Sequence, residues 1–392
     1  MKKINIGLIG LGVIGSGVVK ILKERKNFFK KKLGIELSLK KACDKDLSKI
    51  KNLKLDPSVV TTNPNEIISD PQIDVVIELI GGIHPAKEFI IEALRKGKHV
   101  VTANKALLAQ DGIEIFNTAR ACSKNIYFEA AVGGGIPIIK SLREGLVANK
   151  INSLFGIVNG TSNFILSNMS QNNMDFAEAL REAQKKGFAE KNPKFDIEGI
   201  DSLHKLIILT YLAFGKFVSF KDVFVEGITN ISSLDVSYAN ELGLTIKLLA
   251  IAKKENNELE VRVHPTMLPK SNLLSQVRDS FNAIYISGDL VGDLLFYGRG
   301  AGQMPTASAV ISDLVDLTKD IKAGLFRSTL NIVSDPEIKN IRNIDEIQSR
   351  YYIRFMAIDE PGVLAKIAGV LAKFGISIAS VSQKERKKAK VV

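Results

Sequence analysis

A glycine hexad, Gly10-Leu11-Gly12-Val13-Ile14-Gly15, follows a β-rich run at residues 4–9 and opens a helical pattern at about 16–32. In that context the spacing is restrictive. Gly10 permits the tight turn, Gly12 lets a ligand's phosphates approach the backbone, and Gly15 lets helix and strand pack closely. Phosphates placed there meet the free N–H groups and positive dipole end of the helix. The hexad, with Val13 and Ile14 between its glycines, therefore reads as a dinucleotide-binding loop.

The following residues repeat the strand–helix alternation. Strands are expected at 36–43, 59–61, 74–80, 99–102 and 126–130, with a helix at 85–96 that stops at Gly97. This succession predicts an α/β fold, a Rossmann-type doubly wound parallel sheet, over residues 1–135. Gly81 ends the 74–80 strand, where such sheets bind ligands. Asp44, 29 positions after Gly15, is the first acid at a strand end and would read a ribose 2′-hydroxyl, favouring NAD. Lys45, Lys40 and Lys41 would equally neutralise a 2′-phosphate. Both cofactors stay open, with NADP slightly preferred.

Beyond Gly133-Gly134-Gly135 the texture changes. Strand-like segments at 153–158, 224–228, 248–252, 259–263 and 283–287 mix with helices, and Glu255-Asn256-Asn257 looks like a hairpin turn. A second α+β domain is expected over 136–304, for substrate binding and dimerisation. A helix at about 306–321, within 305–325, is expected to pack back on the first domain, and 326–349 to be a linker.

Other classes are disfavoured. The net charge of +12 is mostly scattered lysine, without aromatic residues interleaved in a basic stripe, so a nucleic-acid footprint is not expected. Apolar runs break well before the ~20 residues of a membrane span, and the N-terminal run lacks a signal-peptide cleavage site. Cys43 and Cys122 form no metal or redox spacing, and the four histidines do not cluster. The cytoplasm is the expected compartment.

Three further stretches bear on chemistry: Thr102-Ala103-Asn104-Lys105 at a strand's C-terminal end, Asn159-Gly160-Thr161-Ser162-Asn163, and Gly187-Phe188-Ala189-Glu190 through Asp196 and Asp201 to Lys205. Asp201 and Lys205 lie i,i+4 and so share one helix face. Surface ion pairs of this kind are worth only ~0.3–0.5 kcal/mol. Leu203, Leu206 and Ile207, however, place the helix in a core, with Glu190 and Asp196 converging from the preceding loop. Several carboxylates near one lysine suit a zwitterionic amino-acid substrate. Asn159-Gly160-Thr161 reads as a helix start whose free N–H groups would hold a carboxylate.

With Glu129 to Pro137 and Gly300-Ala301-Gly302-Gln303-Met304-Pro305-Thr306, these motifs resemble homoserine dehydrogenases across essentially the whole chain. The resemblance implies reduction of L-aspartate 4-semialdehyde to L-homoserine with NADP or NAD, in threonine, methionine and isoleucine biosynthesis. It makes Lys205 the proton donor and Lys105 a second lysine beside the nicotinamide, with Asn104 next to it. Glu190 and Asp201 become substrate ligands, Asp196 an orienting group, and Gly187 and Gly302 positions lining the cofactor. It also implies a structural Na+ or K+ held largely by backbone carbonyls of Glu129, Val132, Gly134 and Ile136, and a homodimer or homotetramer. A semialdehyde dehydrogenase forming an acyl phosphate needs a nucleophilic cysteine in a suitable motif, which Cys43 and Cys122 do not offer. A non-catalytic dinucleotide sensor has no need of the four groups Lys105, Glu190, Asp201 and Lys205 together.

Residues 350–392 resemble roughly half of an ACT domain, a module often used for amino-acid feedback. Strands are expected at 351–358 and 376–382, a helix at 361–374, and Val391 and Val392 as the start of a further strand. On this reading threonine inhibition is not expected.

Overall fold

In a computed structural model, residues 3–46, 48, 53–326, 335–358 and 360–383 are described. The chain forms two compact units, Met1–Ile347 and Gln348–Val392.

The first unit begins with β1 (Lys3–Ile9), α1 (Val13–Glu24), α2 (Lys26–Leu33), β2 (Glu36–Cys43), β3 (Val60–Thr61), α3 (Asn65–Ile68) and β4 (Val75–Glu78). It continues with α4 (Ala86–Arg95), β5 (His99–Thr102), α5 (Lys105–Ala121) and β6 (Ile126–Tyr127). The six strands lie in the order β3-β2-β1-β4-β5-β6, and all pair in parallel. This is the expected doubly wound sheet. Strand order reverses between β1 and β4, so the glycine loop opens at the switch point where such sheets bind ligands.

The helix expected from 16 begins at Val13 and the strand expected at 74–80 is confined to Val75–Glu78, and two further differences have a visible cause. The helix expected at 16–32 is split at Arg25, whose φ of −105° and ψ of 13° leave the helical region. The last strand ends at Tyr127 rather than Ala130, because a 3-10 turn, Glu129–Ala131, follows. The Asp313 carboxylate accepts the Glu129 N–H at 2.7 Å and holds that turn.

The second half of this unit contains α6 (Ile138–Lys140), β7 (Ile151–Ile157), α7 (Gly160–Gln171), α8 (Phe176–Lys185), α9 (Lys194–Ile197), α10 (Ile200–Phe214), β8 (Phe224–Val225) and α11 (Ser233–Glu241). Then come β9 (Leu244–Glu255), β10 (Glu258–Pro269), β11 (Phe281–Gly288), β12 (Gly292–Arg299), α12 (Gln303–Ala323) and β13 (Asn340–Ile341). The sheet order is β12-β11-β7-β9-β10-β13, with β8 also on β10, and its pairings are mixed. The hairpin at Asn256, which takes φ 55°, joins strands of twelve residues each, longer than the pattern showed. Helices cover one face of the sheet. Leu206, Ile207 and Leu209 of α10 are fully buried, each contributing ~1.5–3 kcal/mol.

Helix α12 returns to the first domain. The Tyr127 hydroxyl donates to Asp320 at 2.6 Å, and Gly17 admits Ala307 so closely that a Cβ would lie 3.0 Å from it.

Part of the expected linker is not one. Residues 335–347 join the second sheet through β13, parallel to β10, with Ile338 and Ile347 buried. Ion pairs fix them there: Lys254 with Asp335 at 2.7 Å, and Arg342 with Glu258 at 2.8 Å. Charged residues that read as solvated linker are in fact paired with the sheet edge.

The second unit holds α13 (Val363–Lys373). The strands expected at 351–358 and 376–382 are absent among its described residues, because an extended segment becomes a strand only with a ladder partner. Val391 and Val392 lie outside the described residues.

Candidate active site

The C-terminal edge of the first sheet carries the cofactor candidates. Gly10, Gly12, Val13, Ile14 and Gly15 leave β1, Asp44 follows β2, Gly81 follows β4, and Asn104 and Lys105 follow β5. A Cβ at Gly15 would sit 2.0 Å from the Gly10 carbonyl oxygen, whereas one at Gly12 would meet nothing within 4 Å. Gly15 thus serves helix packing, and Gly12 leaves the backbone open to a ligand. The Asp44 carboxylate accepts from Leu11 N at 2.7 Å and from Asp46 N at 3.0 Å, so it also braces the glycine loop. Lys40 pairs with Asp70 at 2.7 Å and Lys41 with Glu66, which leaves Lys45 as the lysine of that trio beside the strand end.

Fully buried Glu78 builds the neighbouring turn. It accepts from Thr102 Oγ1 at 2.7 Å and from Ile80 N at 2.8 Å, and burial pushes its carboxyl up. Asn104 caps α5 by accepting from Leu107 N, and donates to the Gly82 carbonyl at 2.7 Å. Lys105 is therefore delivered at the first position of α5, at the sheet edge.

The second domain brings its charges to the same place. Asp201 and Lys205 stand one turn apart on α10. Lys205 Nζ donates to Asp201 Oδ2 and to the Val158 carbonyl, each at 2.6 Å. Lys105 Nζ lies 3.1 Å from Asp201 Oδ1. One carboxylate is thus shared between two ammonium groups from different domains. Asn159 completes the cluster, donating to Asp196 at 2.7 Å and to Asp201 at 2.9 Å while its Oδ1 caps α7 through Ser162 N. Thr161 Oγ1 donates to the Phe188 carbonyl at 2.6 Å, tying α7 to the 187–190 loop.

The electrostatics separate the two lysines. Burial opposes ionisation of Asp201, but Lys205, Lys105 and the hydrogen bonds outweigh it and hold the carboxyl well below the usual range. Lys105 is raised, chiefly by Asp201. Lys205 is lowered, because burial outweighs Asp201 and the Lys105 charge adds to the effect. Burial raises Asp196. The arrangement offers one ammonium that stays charged and another that releases its proton more readily than a free lysine.

Other candidates are placed differently. Glu190 is exposed; its carbonyl accepts from Gln184 at 3.1 Å, and its charge reaches Lys105. Gly187 and Gly302 take positive φ, 74° and 119°, and Gly302 precedes α12, where Gln303 Nε2 donates to the Val13 carbonyl at 3.0 Å. Glu129, Val132, Gly134 and Ile136 form the turn between the domains. There the Glu129 side chain accepts from Ile139 N at 2.8 Å and Lys140 N at 2.7 Å, and burial raises it to about 7. Among the described residues no group of three or more His, Cys, Asp or Glu could hold a metal ion. Glu78 and the Val158 carbonyl were not singled out from sequence, and Thr102 was named there only as part of its motif. The signal for Glu78 was an acid ending an otherwise apolar strand.

Residues 10–129 match the family model described as homoserine dehydrogenase, NAD binding domain, residues 137–315 the model for homoserine dehydrogenase, and residues 351–392 the ACT domain. The chain is 46% identical to a homoserine dehydrogenase of Neisseria gonorrhoeae, over 98% of this chain and 89% of the relative. It is 43% identical to that of Bacillus subtilis, over 98% and 88%. Among solved structures, a homoserine dehydrogenase from Thiobacillus denitrificans superposes with a TM-score of 0.87 at 44% identity, covering 98% of this chain and 89% of that one. A hyperthermophilic archaeal homoserine dehydrogenase in complex with NADPH gives 0.70 at 27% identity, covering 81% and 98%.

Replacing Asp201 with asparagine leaves buried Lys205 and half-buried Lys105 without their shared counter-charge. At neutral pH the variant is expected to lose ~3–5 kcal/mol in urea unfolding. Asp201 is held below its unfolded value of ~3.9, so its contribution is present above that pH and fades as the pH falls. The gap between variant and wild type should therefore narrow below about pH 4. A gap unchanged on acidification would mean that the Asp201 charge is not the stabilising feature.

Proposed function

The chain belongs to the homoserine dehydrogenase family, and on that premise we propose how its residues divide the reduction of L-aspartate 4-semialdehyde to L-homoserine. The family's enzymes are NAD(P)-dependent oxidoreductases acting on a CH–OH group. The observation that carries the division of roles is the Asp201 carboxylate shared by Lys205 and Lys105. When bound, nicotinamide supplies the hydride for the aldehyde carbon.

Oxygen then gains negative charge, and Lys205 Nζ donates the proton that makes it a hydroxyl. Its lowered pKa suits that transfer. Lys105, held charged by Asp201, stabilises the developing alkoxide. Asp201 and Glu190 receive the substrate ammonium, and the first N–H groups of α7, at Gly160 and Thr161, receive its carboxylate. Asp196, through Asn159, keeps Asp201 and Lys205 in register.

NADP is the preferred cofactor in this reading, with Lys45 facing its 2′-phosphate. The brace that Asp44 gives the glycine loop supports this, since its oxygens already accept two N–H groups. The NADPH complex of the archaeal relative is in keeping with it. Gly187 and Gly302 line the nicotinamide. A structural Na+ or K+ would sit in the 129–136 turn on backbone carbonyls of Glu129, Val132, Gly134 and Ile136, because hard cations prefer oxygen and the Glu129 carboxylate is already engaged. The proposed compartment is the cytoplasm; both cysteines are free, and among the described residues no helix is long and apolar enough to cross a membrane. The setting is threonine, methionine and isoleucine biosynthesis.

A homodimer or homotetramer is proposed through the second sheet. Its face away from the helices presents partly buried Phe155, Tyr285, Leu268 and Leu295 around a small apolar cluster. Light scattering should give at least twice the chain mass of 42.9 kDa, and a monomeric mass would remove the proposal.

The assay is the initial rate of NADPH and NADH oxidation, in parallel, with L-aspartate 4-semialdehyde. Turnover is expected with both, faster with NADPH; cofactor binding without turnover would leave a dinucleotide sensor as the better account. Lys205→Ala should fold and bind cofactor but lose about 10²–10⁴-fold in kcat. A wild-type rate in that variant would mean the proton comes from elsewhere.

A further inference from the structure

Between the cofactor loop and the substrate site lies a side chain that the reaction scheme does not use. Asn282, in β11, is 1% exposed, and its Oδ1 has no hydrogen-bond partner among the described residues. An orphaned buried amide costs ~1–3 kcal/mol, so its retention asks for a reason beyond packing.

The reason lies in what it touches. A Cβ built on Gly300 would fall 1.9 Å from Asn282 Nδ2, and one on Gly160 would fall 3.5 Å from its Oδ1. The amide is therefore wedged between the loop after β12 and the first turn of α7. Gly300 does not take a left-handed φ, so its need for glycine is this contact and not its backbone conformation. On its other side, Gly300 carbonyl oxygen would lie 2.5 Å from a Cβ at Gly134, in the turn where the chain first crosses between domains. Three residues further on, Gln303 Nε2 holds the Val13 carbonyl of the glycine loop at 3.0 Å. A continuous stack thus runs from the dinucleotide loop, through residues 300–303 and Asn282, to the helix start assigned to the substrate carboxylate.

Resting on the roles given above, we infer that Asn282 is a positioning residue for hydride transfer: its buried amide is the spacer that sets the distance between the nicotinamide and the substrate. It touches neither reactant. A misplacement of about 1 Å is enough to cost about 100-fold in rate while leaving each binding site intact.

The test compares wild type, Asn282→Ala, Gly300→Ala and the double variant, using NADPH and L-aspartate 4-semialdehyde in single-turnover as well as steady-state assays. Asn282→Ala should lower the single-turnover rate about 100-fold, with NADPH Kd and semialdehyde KM within about threefold. Gly300→Ala drives a methyl into the amide and should lose at least as much. Removing the amide in the double variant should restore about tenfold or more, a non-additivity that general destabilisation does not produce. A single-turnover rate within threefold of wild type, a loss confined to Kd or KM, or no recovery in the double variant overturns the inference. If Asn282→Ala does not fold, Asn282→Ser is judged by the same criteria. Failure of the wild type itself to reduce the semialdehyde would instead sink the reading of the reaction, so the two are separable.

Discussion

Asp201 cannot be buried alone. Removing an isolated carboxylate from water costs several kcal/mol even after relaxation, and the cost is met only by charges of opposite sign in good geometry. One of them, Lys205, comes from the next turn of the same helix, so α10 alone provides it. The other, Lys105, comes from the start of α5 in the first domain. Charge balance at the site therefore requires the domains to meet at one separation. Phe116 of α5 and Tyr211 of α10 stack with centroids 5.7 Å apart and planes within 7°, which sets the register of the two helices and brings Lys105 to Asp201.

The two chain crossings protect that separation. Burial pushes Asp313 well above the usual carboxylate range, the neighbouring Glu129 adding to it, and its carboxylate accepts the Glu129 N–H. Glu129 in turn accepts from two N–H groups at the start of α6. Each acid satisfies backbone donors that the crossing would otherwise leave buried and unpaired. Tyr127 and Asp320 close the return crossing. A connection built from satisfied buried groups is not built as a loose hinge, and Gly134 is required there because a Cβ would lie 2.5 Å from the Gly300 carbonyl oxygen.

The first domain was legible because its signals are local. A glycine hexad between strand and helix, apolar runs four to seven residues long, and Gly97 after a helix each report their own structure. Asp201 and Lys205 were legible as a pair for the same reason, through i,i+4 spacing. What escaped depended on residues distant in sequence. Residues 335–347 look like polar linker until Asp335 pairs with Lys254 of β9, 81 positions earlier, and Arg342 with Glu258 of β10. β12 carries no clean alternation, since its residues are mostly half-exposed and its register comes from β11. Lys40 and Lys41 looked free for a phosphate because Asp70 and Glu66, their partners, lie 25 or more positions on. Asn282 gave no signal at all: a lone asparagine before a strand reads as a turn residue, and only the close approach of Gly300 reveals its use.

The same carboxylate acts with opposite results on its two partners. Lys105 is partly open to water, so its burial cost is modest and Asp201 raises it. Lys205 is enclosed, so burial prevails over the same attraction and lowers it. On the roles proposed above, donating a proton would leave Lys205 neutral in a setting that already disfavours its charge, with Lys105 as the single ammonium paired with Asp201. A zwitterionic substrate adds no net charge on entry, so the balance between the site's acids and lysines is not upset by binding. The two lysines are thus distinguished by depth of burial and not by chemical type, which is how one aspartate shifts them in opposite directions and what the proposed division of roles rests on.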